Sequence, residues 1–351
     1  MTPPASGLQR ERIRLYFRLV GVSAAIGAVY GLASGWNGPA PVFNVLVGLV
    51  DGPLIAGSIA GIEIFLLHRL GLLRRLLDLP FAAVVVLKTL AYGAIVALVI
   101  AGGVRGLALV YPAPIRIGPY RLADDLTTIG FSLSMTLIFV IVLQAASLIG
   151  RRTFRNLVLG RYRRPRAERR FFLFVDVVGS TAIAERLGAL KAHEFLAAVF
   201  SVTAEPVAAW HGEIYQYVGD EIVVTWTEDE GRPEARPLRC YFEMCAALEA
   251  AAASFRAGFG VEPRLRAALH LGEVIAGEVG EQRRAIVYHG DVMNTAARLE
   301  QATREAGVRF IVSDDALRAL APPAGFAPSD LGPLNLRGRS GTIRAWSLET
   351  A

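Results

Sequence analysis

The chain has 351 residues, which is enough for about two domains. A hydrophobic fraction of 53% and a positive mean hydropathy are high for a wholly soluble protein and indicate membrane segments. The net charge of +6 resides mostly in short basic clusters, which favours a membrane surface over nucleic acid as a partner.

Four apolar runs follow a polar N-terminus that contains several arginines. Each run is near or above the roughly 20 residues that a helix needs to cross a bilayer. We therefore predict a four-helix transmembrane bundle in residues 1–150. The four runs cover residues 19–36, 42–67, 80–103 and 128–150.

The basic residues predict an orientation for this bundle. Arginines precede the first run and follow the second and fourth runs, whereas the segment between the first and second runs carries no charge. The positive-inside rule then places the N-terminus and the C-terminal half in the cytoplasm. The predicted location is the inner or plasma membrane, with several crossings.

Three charged residues, Asp51, Glu63 and Lys88, fall within the apolar runs. A charge near mid-bilayer costs about 2.5–3.5 kcal/mol on insertion scales, so each should face the bundle interior or an interface. Polar pairs that fix helix packing are the favoured interpretation. A signal-sensing or ion-linked site is the alternative.

Residues 151–170, RRTFRNLVLGRYRRPRAERR, are strongly basic. We expect a juxtamembrane linker that lies against the anionic inner leaflet. Gly160 and Pro165 should break any extension of the fourth helix.

Residues 171–351 alternate strand and helix patterns, which predicts an α/β sandwich with helices on a mixed sheet. The apolar run 171–175 predicts a buried strand, and 213–226 predicts a hairpin. We expect a loop at 228–237, a helix at 238–255, and two strands at 264–271 and 274–277. Two cysteines, Cys240 and Cys245, lack Cys or His neighbours in the sequence, so we predict free thiols rather than a zinc site or a disulfide.

Two carboxylates occupy the ends of these predicted elements. Asp176 ends the strand at 171–175, just before a helix start at Gly179-Ser180-Thr181, and Asp220 sits at the tip of the hairpin. Carboxylate oxygens suit Mg²⁺ or Mn²⁺, and the free N–H groups of a helix start suit phosphate. The sequence therefore predicts divalent ions shared with substrate phosphates.

Asn294 and Arg298 stand four residues apart on a predicted helix at 291–305, so they share one face. No carboxylate stands at the matching spacing nearby. An amide and a guanidinium on one face suit contacts with ribose and phosphate.

Three ordered motifs, FVDVVGST, YVGDEIVV and HGDVMNTAARLE, resemble the signature of class III nucleotidyl cyclases across about residues 171–348. The resemblance implies a ferredoxin-like α+β catalytic domain in residues 171–351. The implied reaction closes a nucleoside triphosphate into a 3′,5′-cyclic monophosphate and releases pyrophosphate. For residues 151–170 it implies a coupling role between membrane and catalytic parts, and a solvated tether is equally consistent.

The resemblance also implies residue roles. Two Mg²⁺ or Mn²⁺ ions per site would be held by Asp176, Asp220 and the carbonyl of Val177. Asn294 would orient the ribose, and Arg298 would stabilise charge on the α-phosphate. Since the family takes the ion-binding pair and the Asn–Arg pair from different subunits, a homodimer with two sites is implied. The N–H groups expected to hold the phosphates belong to Val178, Gly179, Ser180 and Thr181.

The sequence departs from the family at the purine contacts. Gln216 stands where adenine-specific members commonly have Lys, and Val287 stands where they have Asp or Thr. Gln can donate and accept hydrogen bonds, whereas Val can do neither. We expect ATP as the substrate, with GTP as the alternative. Arg337 or Arg339 is a candidate triphosphate contact, and a solvated surface charge is an equal alternative.

A reading from a different class is a signalling or binding module that has little or no activity. The presence of all four residues Asp176, Asp220, Asn294 and Arg298 favours the enzyme. We predict no nucleic-acid partner. His270 and His289 are interpreted as structural, because neither has metal-ligand neighbours in the sequence.

Overall fold

The computed structural model describes residues 5–35, 41–66, 79–110, 122–282, 284–321, 325–336 and 341–350. The chain divides into two compact units, Met1–Ile149 and Gly150–Ala351. Helices in the N-terminal unit are α1 (Ala5–Gly35), α2 (Pro41–Gly61, continued by a π-helical turn at Ile62–Leu66), α3 (Phe81–Val110) and α4 (Leu122–Ile149).

Three of these helices are long and apolar enough to cross a membrane within the described ranges. α4 contains a shorter apolar stretch, Thr136–Ala146. The predicted count of four transmembrane helices is therefore supported for three. The candidate spans are Tyr16–Ala33, Asn44–Phe65 and Phe81–Ile100.

Two of the three charged residues in the apolar runs pair with each other. Lys88 Nζ donates to Glu63 Oε1 at 2.6 Å, and the Tyr92 hydroxyl donates to the same oxygen at 2.5 Å. This confirms the favoured interpretation of a polar pair for Glu63 and Lys88. Asp51 differs, because its buried Oδ1 has no hydrogen-bond partner among the described residues.

The C-terminal unit is built on a mixed sheet with eight described strands. They are β1 (Arg166–Val177), β2 (Glu213–Val218), β3 (Glu221–Thr227), β4 (Leu265–Val279), β5 (Ala285–His289), β6 (Phe310–Ser313), β7 (Phe326–Asn335) and β8 (Thr342–Thr350). Their order in the sheet is β2-β3-β1-β4-β6-β8-β7, and β5 pairs with β4. The β4–β6 pair is parallel, and the other described pairs are antiparallel.

Helices cover both faces of this sheet. They are α5 (Arg151–Val158), α6 (Ser180–Leu187), α7 (Ala189–Ala209), α8 (Glu228–Gly231), α9 (Arg236–Ala250), α10 (Ala252–Phe259), α11 (Asp291–Ala306) and α12 (Asp314–Leu320), with a 3₁₀ turn at Pro233–Ala235.

The central strand β1 is apolar because both of its faces are buried. Leu173 and Val175 belong to a core that includes α7, α9, α10 and α12. Phe172 and Phe174 belong to a second core that includes Val292 of α11. Successive side chains of a strand point to opposite faces, so a strand buried on both sides reads as a continuous apolar run.

Several predicted boundaries were wrong. The expected break near Gly272 does not occur, because β4 runs unbroken through it. A Cβ on Gly272 would come within 2.4 Å of the Val292 side chain, so this glycine lets α11 pack closely on the strand. The expected loop at 228–237 contains α8 and a 3₁₀ turn, and the expected helix at 238–255 is the two helices α9 and α10.

The basic segment 151–170 is not a free linker. It contributes α5 and the first residues of β1 to the C-terminal unit. Arg170, which we expected beside the inner leaflet, has 0% of its surface exposed. Its guanidinium donates to Glu168 at 2.9 Å and to Glu213 at 3.2 Å, and lies 4.7 Å from the Tyr288 ring centroid.

Glu213 also connects α5 to the sheet. Thr153 of α5 donates to Glu213 at 3.1 Å, and Arg152 forms ion pairs with Glu213 and Glu230. Because Glu213 opens β2 and Arg170 lies in β1, one buried carboxylate anchors α5 to the two strands on either side of β3.

Replacing Arg170 with methionine should lower the free energy of unfolding by about 3 kcal/mol, because it removes the fully buried counter-charge of Glu213 and leaves only the partly exposed Arg152. Thermal unfolding of the full chain in detergent would measure the loss. Arg169→Met is the matched control, because its side chain is 53% exposed and its pair with Glu228 lies at the surface. Equal unfolding temperatures for the two variants would show that the Arg170 network does not stabilise the unit.

Candidate active site

Three strands place a row of charged residues across one face of the sheet. Asp176, at the end of β1, lies opposite Glu221 of β3 and opposite Arg266 of β4. Opposed residues of paired strands project to the same face, and alternation puts Asp176 on the face of Phe172 and Phe174. That face is the one that α11 covers.

The hairpin turn adds a second aspartate to the row. Gly219 takes a φ of +63°, a conformation that glycine adopts without steric cost, and Asp220 follows it at the tip. Asp220 lies close enough to Asp176 and Ser180 for hydrogen bonding among the three to act on the pKa values of the two carboxylates. The fold thus brings Asp176, Ser180 and Asp220 together from three parts of the chain.

The carboxylates perturb one another. The pKa of Asp176 is raised to about 6, first by burial and then by Asp220 and Glu300, whereas Arg266 acts to lower it. The pKa of Glu221 is raised to about 7, first by burial and then by the nearby Glu300, Asp176 and Asp220. At Asp220, burial is outweighed by the hydrogen bonds from Ser180 and Asp176, so its pKa is lowered. The site therefore holds more negative charge than its own cations offset.

The available ligands fit an ion that is bound partly by substrate phosphates better than an ion that is bound by protein groups alone. Among the described residues, no group of three or more His, Cys, Asp or Glu side chains is arranged to hold a metal. Asp176 and Asp220 supply two adjacent carboxylates, and Val177, the last residue of β1, follows directly. Mg²⁺ typically keeps one or two protein carboxylates and completes its coordination with water and substrate phosphates.

Ser180, the first residue of α6, brings the start of this helix beside these carboxylates. Gly179 caps the helix with a φ of +73°, and among the described residues no capping side chain accepts from the first turn. Such N–H groups have no partner within a helix and can bind anions. Val178 departs from the expectation, because its N–H donates to the Arg264 carbonyl at 2.8 Å and is already used.

Besides Glu221, three further charged residues at the site escaped the sequence analysis. Arg266 Nη2 contacts Asp176 Oδ2, and Arg266 Nε donates to Glu300 Oε1 at 2.6 Å. Arg304 Nη2 lies 3.3 Å from Asp176 Oδ2. The signal that could have found Arg266 is a lone arginine within the otherwise apolar start of β4, and Glu300 and Arg304 stand at i, i+4 on α11.

Asn294 and Arg298 lie on α11 but away from Asp176 of the same chain. Asn294 is exposed and Arg298 is half-buried. Arg298 is two residues from the buried Glu300, which places it about 200° around the helix axis, and Asn294 is about 15 Å along the axis from Arg304. One chain therefore presents the two halves of the predicted site in different directions.

The remaining predicted contacts are scattered. Gln216 is exposed on β2. Val287 of β5 is half-buried and pairs with Gly277 of β4. Arg337 and Arg339 lie outside the described residues. His270 is buried with Nδ1 2.8 Å from Ser313 Oγ, as a structural histidine would be. Both cysteines are free, with Cys240 buried and Cys245 half-buried.

Comparison with known proteins points to one family. Residues 165–350, more than half of the chain, match the family described as the adenylate and guanylate cyclase catalytic domain. The chain is 40% identical over 227 residues to adenylate cyclase 2 of Rhizobium meliloti (strain 1021), covering 65% of this chain and 62% of that protein. Adenylate cyclase 1 of the same organism is 29% identical over 171 residues, covering 48% of this chain and 25% of that protein.

A solved structure of a bacterial light-regulated adenylyl cyclase shares the fold. It superimposes with a TM-score of 0.52 at 18% identity, covering 61% of this chain and 64% of that chain. The family match alone covers residues 165–350. The chain belongs to the adenylate and guanylate cyclase catalytic domain family.

Proposed function

We propose that this chain is a membrane-anchored adenylate cyclase that forms 3′,5′-cyclic AMP and pyrophosphate from ATP at two sites shared within a homodimer. The observation that carries the proposal is the proximity of the Asp176 and Asp220 carboxylates, which act on each other's pKa, beside the start of α6. Family membership and the three apolar N-terminal helices support it.

The reaction is an in-line displacement at the α-phosphorus. The ribose 3′-oxygen forms a bond to the α-phosphorus, the bond from that phosphorus to the bridging oxygen breaks, pyrophosphate departs, and the hydroxyl proton passes to solvent. Two Mg²⁺ or Mn²⁺ ions, held by Asp176, Asp220 and the Val177 carbonyl, would lower the pKa of the 3′-hydroxyl and neutralise phosphate charge.

The other residues bind and orient the nucleotide. The N–H groups of Gly179, Ser180 and Thr181, at the positive end of α6, donate hydrogen bonds to phosphate oxygens. Asn294 hydrogen-bonds the ribose, and Arg298 stabilises the charge that develops on the α-phosphate oxygens. Because the site that contains Asp176 lacks both groups from its own α11, a second copy of the chain supplies them.

Apolar residues near the site support an interface between two copies. Tyr217 and Val218, next to Asp220, are 47% and 51% exposed, and Val178 is 38% exposed. Large apolar side chains clustered at a surface typically mark a contact with another protein. An interface here would bring the exposed face of the partner's α11 to the aspartates.

The test of function is turnover of ATP and GTP side by side with Mn²⁺, using the purified full-length protein and identifying products by mass spectrometry. Cyclic AMP as the main product supports the proposal. Cyclic GMP as the main product would establish the guanylate cyclase alternative, which the polar but uncharged Gln216 keeps open.

Replacing Gln216 with lysine should raise the ratio of ATP to GTP turnover by about tenfold, the value of one charge-assisted hydrogen bond. Adenine N1 accepts a hydrogen bond, whereas guanine N1 carries a hydrogen that a lysine ammonium would oppose. The ratio of kcat/KM for the two nucleotides measures the effect. Gln216→Met is the matched control, since it keeps the side-chain length and removes both hydrogen-bonding groups. An unchanged ratio in both variants would remove Gln216 from the base-binding site.

A further inference from the structure

Arg266 bridges two buried carboxylates at the centre of the site. Its side chain is 12% exposed, and it forms ion pairs with Asp176 and Glu300, whose side chains are 7% and 6% exposed. The two contacts use different nitrogens, Nη2 toward Asp176 and Nε toward Glu300. The guanidinium therefore stands between the predicted ion ligand and an acid from α11.

A divalent ion bound to Asp176 would compete with this guanidinium for the carboxylate. Arg266 holds Asp176 Oδ2, which an ion on Asp176 would use or closely approach. Two cations at one buried carboxylate repel strongly, because Coulomb energies grow as solvent is excluded. An arriving ion therefore requires Arg266 to move away from Asp176.

Glu300 provides the position to which Arg266 can move. Its carboxylate already accepts from Arg266 Nε at 2.6 Å, and a carboxylate can accept both prongs of a guanidinium fork. Because Glu300 has only 4% of its surface exposed, it keeps a nearby charge partner without competition from bulk water.

We propose that Arg266 stands in for the divalent ion at Asp176 when no ion is bound, and that Glu300 is a positioning residue that draws it away when the ion binds. This inference rests on the proposed use of Asp176 as an ion ligand. Glu300 would then change ion affinity through Arg266, without contacting the ion itself.

Glu300→Gln should raise the dissociation constant for Mn²⁺ by about tenfold, because the neutral amide no longer attracts Arg266 and leaves it on Asp176. Arg266→Met should lower the constant, since the competing cation is gone. The double variant Glu300→Gln/Arg266→Met should resemble Arg266→Met. Free Mn²⁺ is measured by electron paramagnetic resonance with the full-length protein in detergent and without nucleotide.

Arg304→Met is the matched control. Arg304 also approaches Asp176 Oδ2, at 3.3 Å, but its side chain is 61% exposed, so water screens its charge. Its replacement should change Mn²⁺ affinity by less than about twofold. Thermal unfolding of every variant separates loss of the fold from loss of ion affinity.

The outcomes distinguish this inference from the proposed function. If the wild-type protein binds Mn²⁺ and Asp176→Ala does not, but Glu300→Gln binds as tightly as wild type, the exchange of Arg266 is refuted while the ion site stands. A double variant that binds as weakly as Glu300→Gln also refutes it. If Asp176→Ala binds Mn²⁺ as well as the wild type, both the ion site and this inference fall.

Discussion

Replacement of Asp220 by alanine is expected to reduce cyclic nucleotide formation by on the order of 10³-fold, because several kcal/mol of charge stabilisation are lost with one ion ligand. Asp220 lies in a turn with Gly219, so the strands on either side should keep their pairing. Turnover is measured with saturating Mn²⁺ and ATP. Thermal unfolding of the same preparation should change little.

The matched control is Asp229→Ala. Asp229 is an exposed aspartate in α8, away from the row at Asp176, and its loss should leave turnover within about twofold of wild type. Normal turnover by Asp220→Ala would remove the two-ion assignment. Equal losses in both variants would indicate a general sensitivity to acidic residues instead of an ion site.

Mixing Asp176→Ala subunits with Arg298→Ala subunits is expected to restore roughly a quarter of wild-type activity. Each variant alone lacks a group in both of its sites. In the mixed dimer, one site takes its aspartates from the Arg298→Ala chain and its arginine from the Asp176→Ala chain, so that site is intact. Random exchange makes about half of the dimers mixed, and in each mixed dimer one of the two sites is intact.

The control is a mixture of Asp176→Ala with Asp220→Ala. Both changes damage the same half of the site, so each site in the mixed dimer still lacks one aspartate. No recovery is expected. Recovery in this control, or none in the first mixture, would contradict a site divided between subunits.

The sequence predicted the parts of the site that local pattern determines. A buried strand, a glycine turn and a helix start have recognisable signatures, and they placed Asp176, Asp220 and Ser180. The structure then brings these residues close together, which no local pattern predicts. The hairpin was predicted in full because both its strands and its turn are contiguous.

The parts that depend on packing between distant elements were missed. Arg266 and Glu300 become partners only because β4 lies beside β1 and α11 crosses over both. The sequence predicted two strands separated at 272–273, yet Gly272 lies inside one strand and permits the close approach of α11, which only the neighbour Val292 explains. In the basic segment, Arg170 was assigned to the surface because its buried acidic partner Glu213 is distant in sequence.

The anchoring of α5 to Glu213 bears on how a water-soluble fragment should be cut. A fragment that begins at Phe171 would remove Arg152, Thr153 and Arg170 together, and Glu213 would remain inside the unit with none of these donors. A fragment that begins at Gly150 keeps all three, so it is the shorter piece that should express poorly and precipitate.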